Sequence, residues 1–196
     1  MEEKKTNTKP RIWLAGLICA ALMTVVCGIV YPLAMTGLAQ LTMPRQANGS
    51  LIIVEENGRQ VCYGSELVAQ TFTEPQYLIG RPDSGSPSNL SAVSEEQRAL
   101  VEERVAWWHA LDPENTADIP MELVTASGSG VDPHISPAAA EYQVPRIARE
   151  RGISEDEVRA VIAKHTEGKT LGFMGEDRVN VLLVNLDLDG KLAARQ

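Results

Sequence analysis

The chain is poor in the residues from which catalytic and metal centres are built. Its 196 residues include three histidines and three cysteines. His109, His134 and His165 share no ligand spacing with one another or with a cysteine, so no metal is expected. Cys19 and Cys27 lie in an uncharged stretch, which leaves Cys62 alone beyond it and excludes an internal disulfide there. An intact phosphate-binding P-loop is missing. Gly168-Lys169-Thr170 has Ala163 where the first glycine is required, and it follows a helical pattern instead of a strand. A Gly-x-Ser-x-Gly nucleophile elbow is missing too, since Ser127 stands where Ser129 would need a glycine.

Positive charge is scarce outside the first residues. Residues 1–11 hold four of the 18 basic and two of the 26 acidic residues, which leaves the remainder a net of −10. So acidic a body argues against nucleic acid as a partner. Charge of either sign is absent from Ile12 through Pro44, 33 residues, whereas about 20 apolar residues suffice to cross a bilayer. That run is too long for a cleavable signal core and reads as an uncleaved transmembrane anchor. By the positive-inside rule the tail is cytoplasmic and the body extracytoplasmic. A fully helical run would overshoot the bilayer, so a kink or exit is expected at Pro32 or Gly37. Thr24 and Gly28, with neighbouring alanines, offer small surfaces for helix packing. The organisation is thus a basic tail (1–11), an anchor and exit segment (12–44), and one soluble domain (45–196).

The domain reads as α+β. Leu51-Ile52-Ile53-Val54, Asn57-Gly58 and Val61-Cys62-Tyr63 predict a hairpin with a type I′ turn. Pro75, Pro82 and the serines of 83–91 allow only short pieces and a loop there. Ser94 with Gln97, followed by Leu100, Val101, Val105, Trp108 and Leu111, predicts a capped helix, in which Trp107 and Trp108 pack and do not stack on bases. Ser136-Pro137 opens a second helix reaching Gly152, bent at Pro145. Ser154 with Glu157 caps a third, with Val158, Val161, Ile162 and His165 on one face. Arg178 to Leu188 reads as a central strand, because both of its faces are apolar in the first half.

The stretch 124–137, Val-Thr-Ala-Ser-Gly-Ser-Gly-Val-Asp-Pro-His-Ile-Ser-Pro, has the composition of a built loop. Glycines permit unusual backbone angles, hydroxyls offer hydrogen bonds, and two Xaa-Pro pairs fix the exit. Asp132 and His134 beside serines are more often local hydrogen-bonding residues than a triad. Glycine-flanked amides ahead of a helix start could attract an anion.

Together with Gly80-Arg81-Pro82, Gln143-Val144-Pro145-Arg146, His165-Thr166-Glu167-Gly168 and Arg178-Val179-Asn180-Val181-Leu182, this stretch and the single apolar segment resemble the C subunit of the Kdp potassium-transporting P-type ATPase, the KdpC family, over nearly the whole chain. The resemblance implies a non-catalytic subunit of a high-affinity, ATP-driven potassium uptake pump, one that stabilises the complex and raises the ATP affinity of the catalytic chain. Its partners would be the channel-like subunit KdpA, the catalytic subunit KdpB and the small peptide KdpF, in the lipid of a bacterial inner membrane. It implies a nucleotide contact at Ser127, Gly128, Ser129, Gly130 and Gln143, with ATP shared with the catalytic subunit and no covalently bound cofactor. The charge-derived topology pulls the other way, since ATP is cytoplasmic. Two alternatives from other classes are an anchored extracytoplasmic hydrolase and a small-anion-binding module, each using the Ser-Gly-Ser-Gly loop.

Overall fold

A computed structural model describes residues 9–192 apart from Asn57, Ser84 and Ser88. The expectations placed on most of the basic tail and on Asn57 of the hairpin turn lie outside the described residues. Two units are defined, 1–50 and 51–196.

The first unit is helical. Helix α1 (Lys9–Val25) passes through a π-helical turn (Val26–Val30) into α2 (Tyr31–Thr42), and α3 (Pro44–Ala47) follows. From Arg11 to Thr42 this helix is long and apolar enough to cross a membrane. The helix runs on through both Pro32 and Gly37, and its π turn ends at Val30, close before Pro32. Pro32 has no N–H and its ring crowds the preceding turn. The π turn just before it absorbs that mismatch, with the Tyr31 N–H reaching back to the Val26 carbonyl. The break comes at Met43, where φ is −147°.

The second unit begins with the hairpin, β1 (Leu51–Glu56) antiparallel to β2 (Arg59–Ser65). Alternation buries Ile52 and Val54 and exposes Leu51 and Ile53. Irregular chain leads to α4 (Glu95–Leu111), where the Ser94 hydroxyl accepts from Gln97 N at 3.2 Å. Trp108 on α4 is buried and donates Nε1–H to the Leu123 carbonyl at 3.1 Å, while Trp107 packs edge-on against it.

A three-stranded antiparallel sheet of order β3-β5-β4 places β5 (Arg178–Asn180) between β3 (His134–Ile135) and β4 (Thr166–Glu167). The expected single helix of 137–152 is two, α5 (Pro137–Glu141) and α6 (Val144–Arg151), separated at Tyr142-Gln143. Pro145 sits in the first turn of α6, where a missing N–H costs nothing, so it starts a helix and does not bend one. Gly152 ends α6 with φ +66°, a left-handed cap that glycine adopts freely. Helix α7 (Glu155–Lys164) carries the reciprocal Ser154–Glu157 capping box.

The largest correction concerns 178–188. Only Arg178–Asn180 is strand, and Val181–Leu188 forms helix α8. Apolar residues on both strand faces also describe a helix buried all round. Asn180 decides the matter locally by capping α8, its Oδ1 accepting from Leu183 N at 3.1 Å. Val181 and Val184 enter the main core around Leu78, Trp108, Ile135 and Ile147, whereas Leu182 and Leu186 join Ile52 and Val54 in a second cluster. Helix α8 therefore joins the hairpin to the rest of the domain.

Candidate functional site

The 124–137 loop is clasped at both ends. Glu122, in the turn Met121–Leu123, accepts from the Ser136 N–H at 3.1 Å and from the Ser136 hydroxyl. The same hydroxyl oxygen accepts from Ala139 N and so caps α5. The loop thus hangs from the helix start that its Ser-Pro exit predicts.

Within the loop the serine hydroxyls bond locally. Ser127 is 4% exposed, and its Oγ accepts from Gly130 N at 2.9 Å and lies 3.3 Å from Ser129 Oγ. Ser129 Oγ accepts from Val131 N at 3.2 Å. Gly130 is buried with φ +73°, a conformation that a side chain would strain. Gly128 and Ser129 form the exposed crest, and a Cβ added at Gly128 would meet nothing within 4 Å.

Two arginines hold the loop from behind. Arg81 donates Nη2–H to the carbonyls of Thr125 and Ala126, the latter at 3.1 Å, and its Nη1 lies 3.5 Å from Asp132 Oδ2. Arg104 of α4 donates to the Val124 carbonyl at 3.0 Å. Both arginines, with Phe72 and Trp107, line a cavity of about 160 Å³ beside the loop. Backbone carbonyls carry the negative ends of peptide dipoles, so a guanidinium's several donors fix loop geometry without another side chain.

Gln143 stands apart from the crest. It is 1% exposed at the α5–α6 break, and its amide mimics a strand partner for Ile79. Oε1 accepts from Ile79 N at 2.9 Å and Nε2 donates to the Ile79 carbonyl at 2.9 Å. Nε2 also donates to the Ala139 carbonyl, and Oε1 accepts from Arg146 Nη2 at 2.7 Å. Arg146 is fully buried, donates to the carbonyls of Pro75 and Tyr77, and lies over the Trp108 ring at 5.8 Å. Burial pulls its pKa down to about 10, so it stays charged at neutral pH. Gln143 and the loop are therefore linked through residues 79–81 and not by a hydrogen bond of their own.

Nothing here activates a serine. His134 presents Nδ1 at 3.8 Å from Asp132 and Nε2 at 3.5 Å from Asn180 Nδ2, and neither nitrogen meets a hydroxyl. Burial lowers the His134 pKa, with Asp132 opposing, which favours the neutral ring. Asp132 Oδ1 accepts from His134 N at 3.0 Å, the local turn expected from sequence. A hydrolase site requires a base within hydrogen-bond reach of its nucleophile, and neither Ser127 nor Ser129 has one among the described residues: their hydroxyls meet only each other and backbone N–H groups. In the first unit, Thr24 Oγ1 donates to the Ala20 carbonyl at 2.8 Å, and a Cβ at Gly28 would come no nearer than 4.0 Å to the Thr24 methyl. The two residues form an exposed notch on the helix.

Sequence reasoning missed the roles of Arg146 and Arg81, although both lie in motifs quoted above. It also missed Asn185, whose side chain exchanges hydrogen bonds of 2.8 Å with both backbone groups of Leu78. A polar residue inside an otherwise apolar run was the available signal.

Fold and loop together define an α+β domain that follows one N-terminal helix able to span a membrane. The family model for KdpC, the K+-transporting ATPase c chain, matches residues 13–190. A Potassium-transporting ATPase KdpC subunit from Listeria welshimeri is 55% identical over 181 residues, covering 91% of this chain and 95% of the relative. Its counterpart in Listeria monocytogenes is 56% identical over 183 residues with the same coverage. That of Sorangium cellulosum is 50% identical over 185 residues, covering 89% of this chain and 95% of the relative. The chain belongs to the KdpC family, and it is a subunit of a potassium-transporting P-type ATPase.

Proposed function

We propose that the chain is a non-catalytic accessory subunit that completes and stabilises the pump, and that its 124–137 loop acts through a partner. The observation that carries this reading is the wiring of the loop. Ser127 and Ser129 accept from the loop's own backbone, its shape is fixed by Arg81 and Arg104, and Gly128-Ser129 is its exposed crest. Such a surface recognises by shape and backbone; it has no chemistry of its own to contribute.

Anchoring follows from the 11–42 helix, with the Thr24–Gly28 notch as a contact for a transport-subunit helix, either KdpA or KdpF. The N-terminus is cytoplasmic and the domain extracytoplasmic, as the charge asymmetry supports. Hydrolysis and conduction then belong to KdpB and KdpA. If the loop tunes ATP affinity in KdpB, as the family resemblance implies, Gly128 and Ser129 of the crest supply the contact, Ser127 and Gly130 hold the crest in shape, and Gln143 acts as a positioning residue through Ile79.

Measuring ATP and potassium dependence on one reconstituted complex tests the proposal. Ser129→Ala is expected to raise the apparent KM for ATP if the loop serves the nucleotide site. It is expected to disturb assembly or potassium dependence if the loop serves an extracytoplasmic contact. Three unchanged readouts would reduce the loop to a structural turn. Substrate turnover by the chain without its partners, abolished by Ser129→Ala, would overturn the non-catalytic assignment.

A further inference from the structure

Between β4 and β5 the chain makes a tip that neither core cluster uses. Thr170 N donates to the Met174 carbonyl at 2.9 Å and Met174 N to the Thr170 carbonyl at 3.0 Å, while Gly172 N donates to the Lys169 carbonyl at 3.0 Å. At the base, Asp177 Oδ1 accepts from Lys169 N at 3.1 Å. The tip is therefore a built turn with a defined shape. It presents Leu171, Phe173 and Met174 at 79%, 74% and 53% exposure. Side chains of this size gain free energy on leaving water, and three within four residues make a contiguous apolar patch. Leu171 is unfavourable to the fold in a second way, because its φ of +55° is a left-handed conformation in which a leucine is strained. A residue that is strained and buries nothing within its own domain points to a contact outside it.

Charge at the rim selects the kind of surface. Arg178 pairs with Glu167 at 2.5 Å, Asp177 is committed to the loop base, and exposed Lys169 and Glu176 have no ion pair among the described residues. The rim holds three acidic and two basic residues between 167 and 178 and the chain beyond residue 11 is acidic as a whole, whereas an anionic bilayer attracts basic segments. A protein socket with an apolar floor and a rim that is basic on the Glu176-Asp177 side complements both the side chains and the net negative charge.

We propose that the 170–174 tip docks into an apolar, basic-rimmed socket on another subunit of the potassium-transporting ATPase, with Leu171 and Phe173 entering the floor and Glu176 meeting the rim. This rests on the assembly role proposed above. The test uses the full chain co-expressed with the transport subunits. A photoreactive Phe173→p-benzoylphenylalanine substitution is expected to cross-link to one transport subunit. Phe173→Ser with Met174→Ser should lower recovered complex about tenfold or more, as loss of a central apolar anchor does. Leu171→Gly separates docking from folding: the thermal midpoint should hold or rise because glycine suits the left-handed angle, while assembly still falls. Wild-type assembly of these variants, or a cross-link only to lipid, would overturn the proposal and in the latter case assign the tip to the bilayer. If the wild-type chain itself fails to co-purify with any transport subunit, the assembly reading falls and takes this one with it.

Discussion

Gln143→Ala should unfold the frame of the loop before it affects any ligand. The substitution removes both hydrogen bonds to Ile79, one to the Ala139 carbonyl and one from Arg146 Nη2. A buried group left without its partner costs about 1–3 kcal/mol, more when charged, but neighbouring losses do not add fully. A net loss of roughly 3–5 kcal/mol follows, a large share of a typical total of about 5–15 kcal/mol. For a chain of this size each kcal/mol is worth about 2–4 °C, so the thermal midpoint should fall by roughly 6–20 °C. Tryptophan fluorescence of the full chain in detergent reads this, because buried Trp108 lies 5.8 Å from the Arg146 guanidinium that Gln143 helps to hold. The same variant in the assembled pump should show its ATP dependence changed only where stability has also changed. A midpoint within about 2 °C of wild type, combined with a raised KM for ATP, would refute the reasoning and make Gln143 a direct contact.

Acid stability should depend on Asp187, which accepts from Lys164 at 2.8 Å and faces His165 Nε2 at 2.7 Å. Burial alone would raise its pKa, yet hydrogen bonds from Lys164 and His165 outweigh burial and lower it below the ordinary 3.8. The contribution is thus complete above about 3.8 and lost as pH falls through the lowered folded value. Asp187→Asn should flatten the acid limb of a stability-versus-pH profile, and an unchanged limb would discount the cluster. In a Cys19→Ala, Cys27→Ala background, exposed Cys62 should react with a membrane-impermeant thiol reagent in spheroplasts; reaction only after lysis would invert the topology. Gly28→Leu should reduce co-purification with the transport subunits several-fold while membrane insertion is unchanged, since a Cβ there comes no nearer than 4.0 Å to another side chain of its own helix. Undiminished recovery would make the helix a tether only.

Elements with chemical punctuation were legible in the sequence. Ser94, Ser136 and Ser154 announce three helix starts by side chains that act within one turn, and all three serines accept the expected backbone bond. Segment 178–188 was misread because its apolar residues occupy every face, so periodicity could not separate strand from helix, and only the capping role of Asn180 does. The loop was recognisable as built from its glycines, serines and prolines. Its wiring was not, because Gln143 meets Ile79 across a separation of 64 residues and Arg81 meets Ala126 across 45. Burial of Ser127 and Gln143 is a property of those distant partners, and no local pattern encodes it.

Helix α8 also sets the order in which the protein can be made. The hairpin at Leu51–Ser65 emerges from the ribosome early, yet its apolar face is covered by Leu182 and Leu186 near the other end. Leu78 waits for Asn185, Glu66 for Asn180 and Tyr63 for Lys191, separations of 107, 114 and 128 residues. At about 5–20 residues per second, the anchor is available to the membrane on the order of 10 s before the domain can close. Through that interval Ile52 and Val54 are open to other contacts, so a truncation that removes α8 leaves a tethered chain with an uncovered strand pair, a substrate for chaperones or proteases.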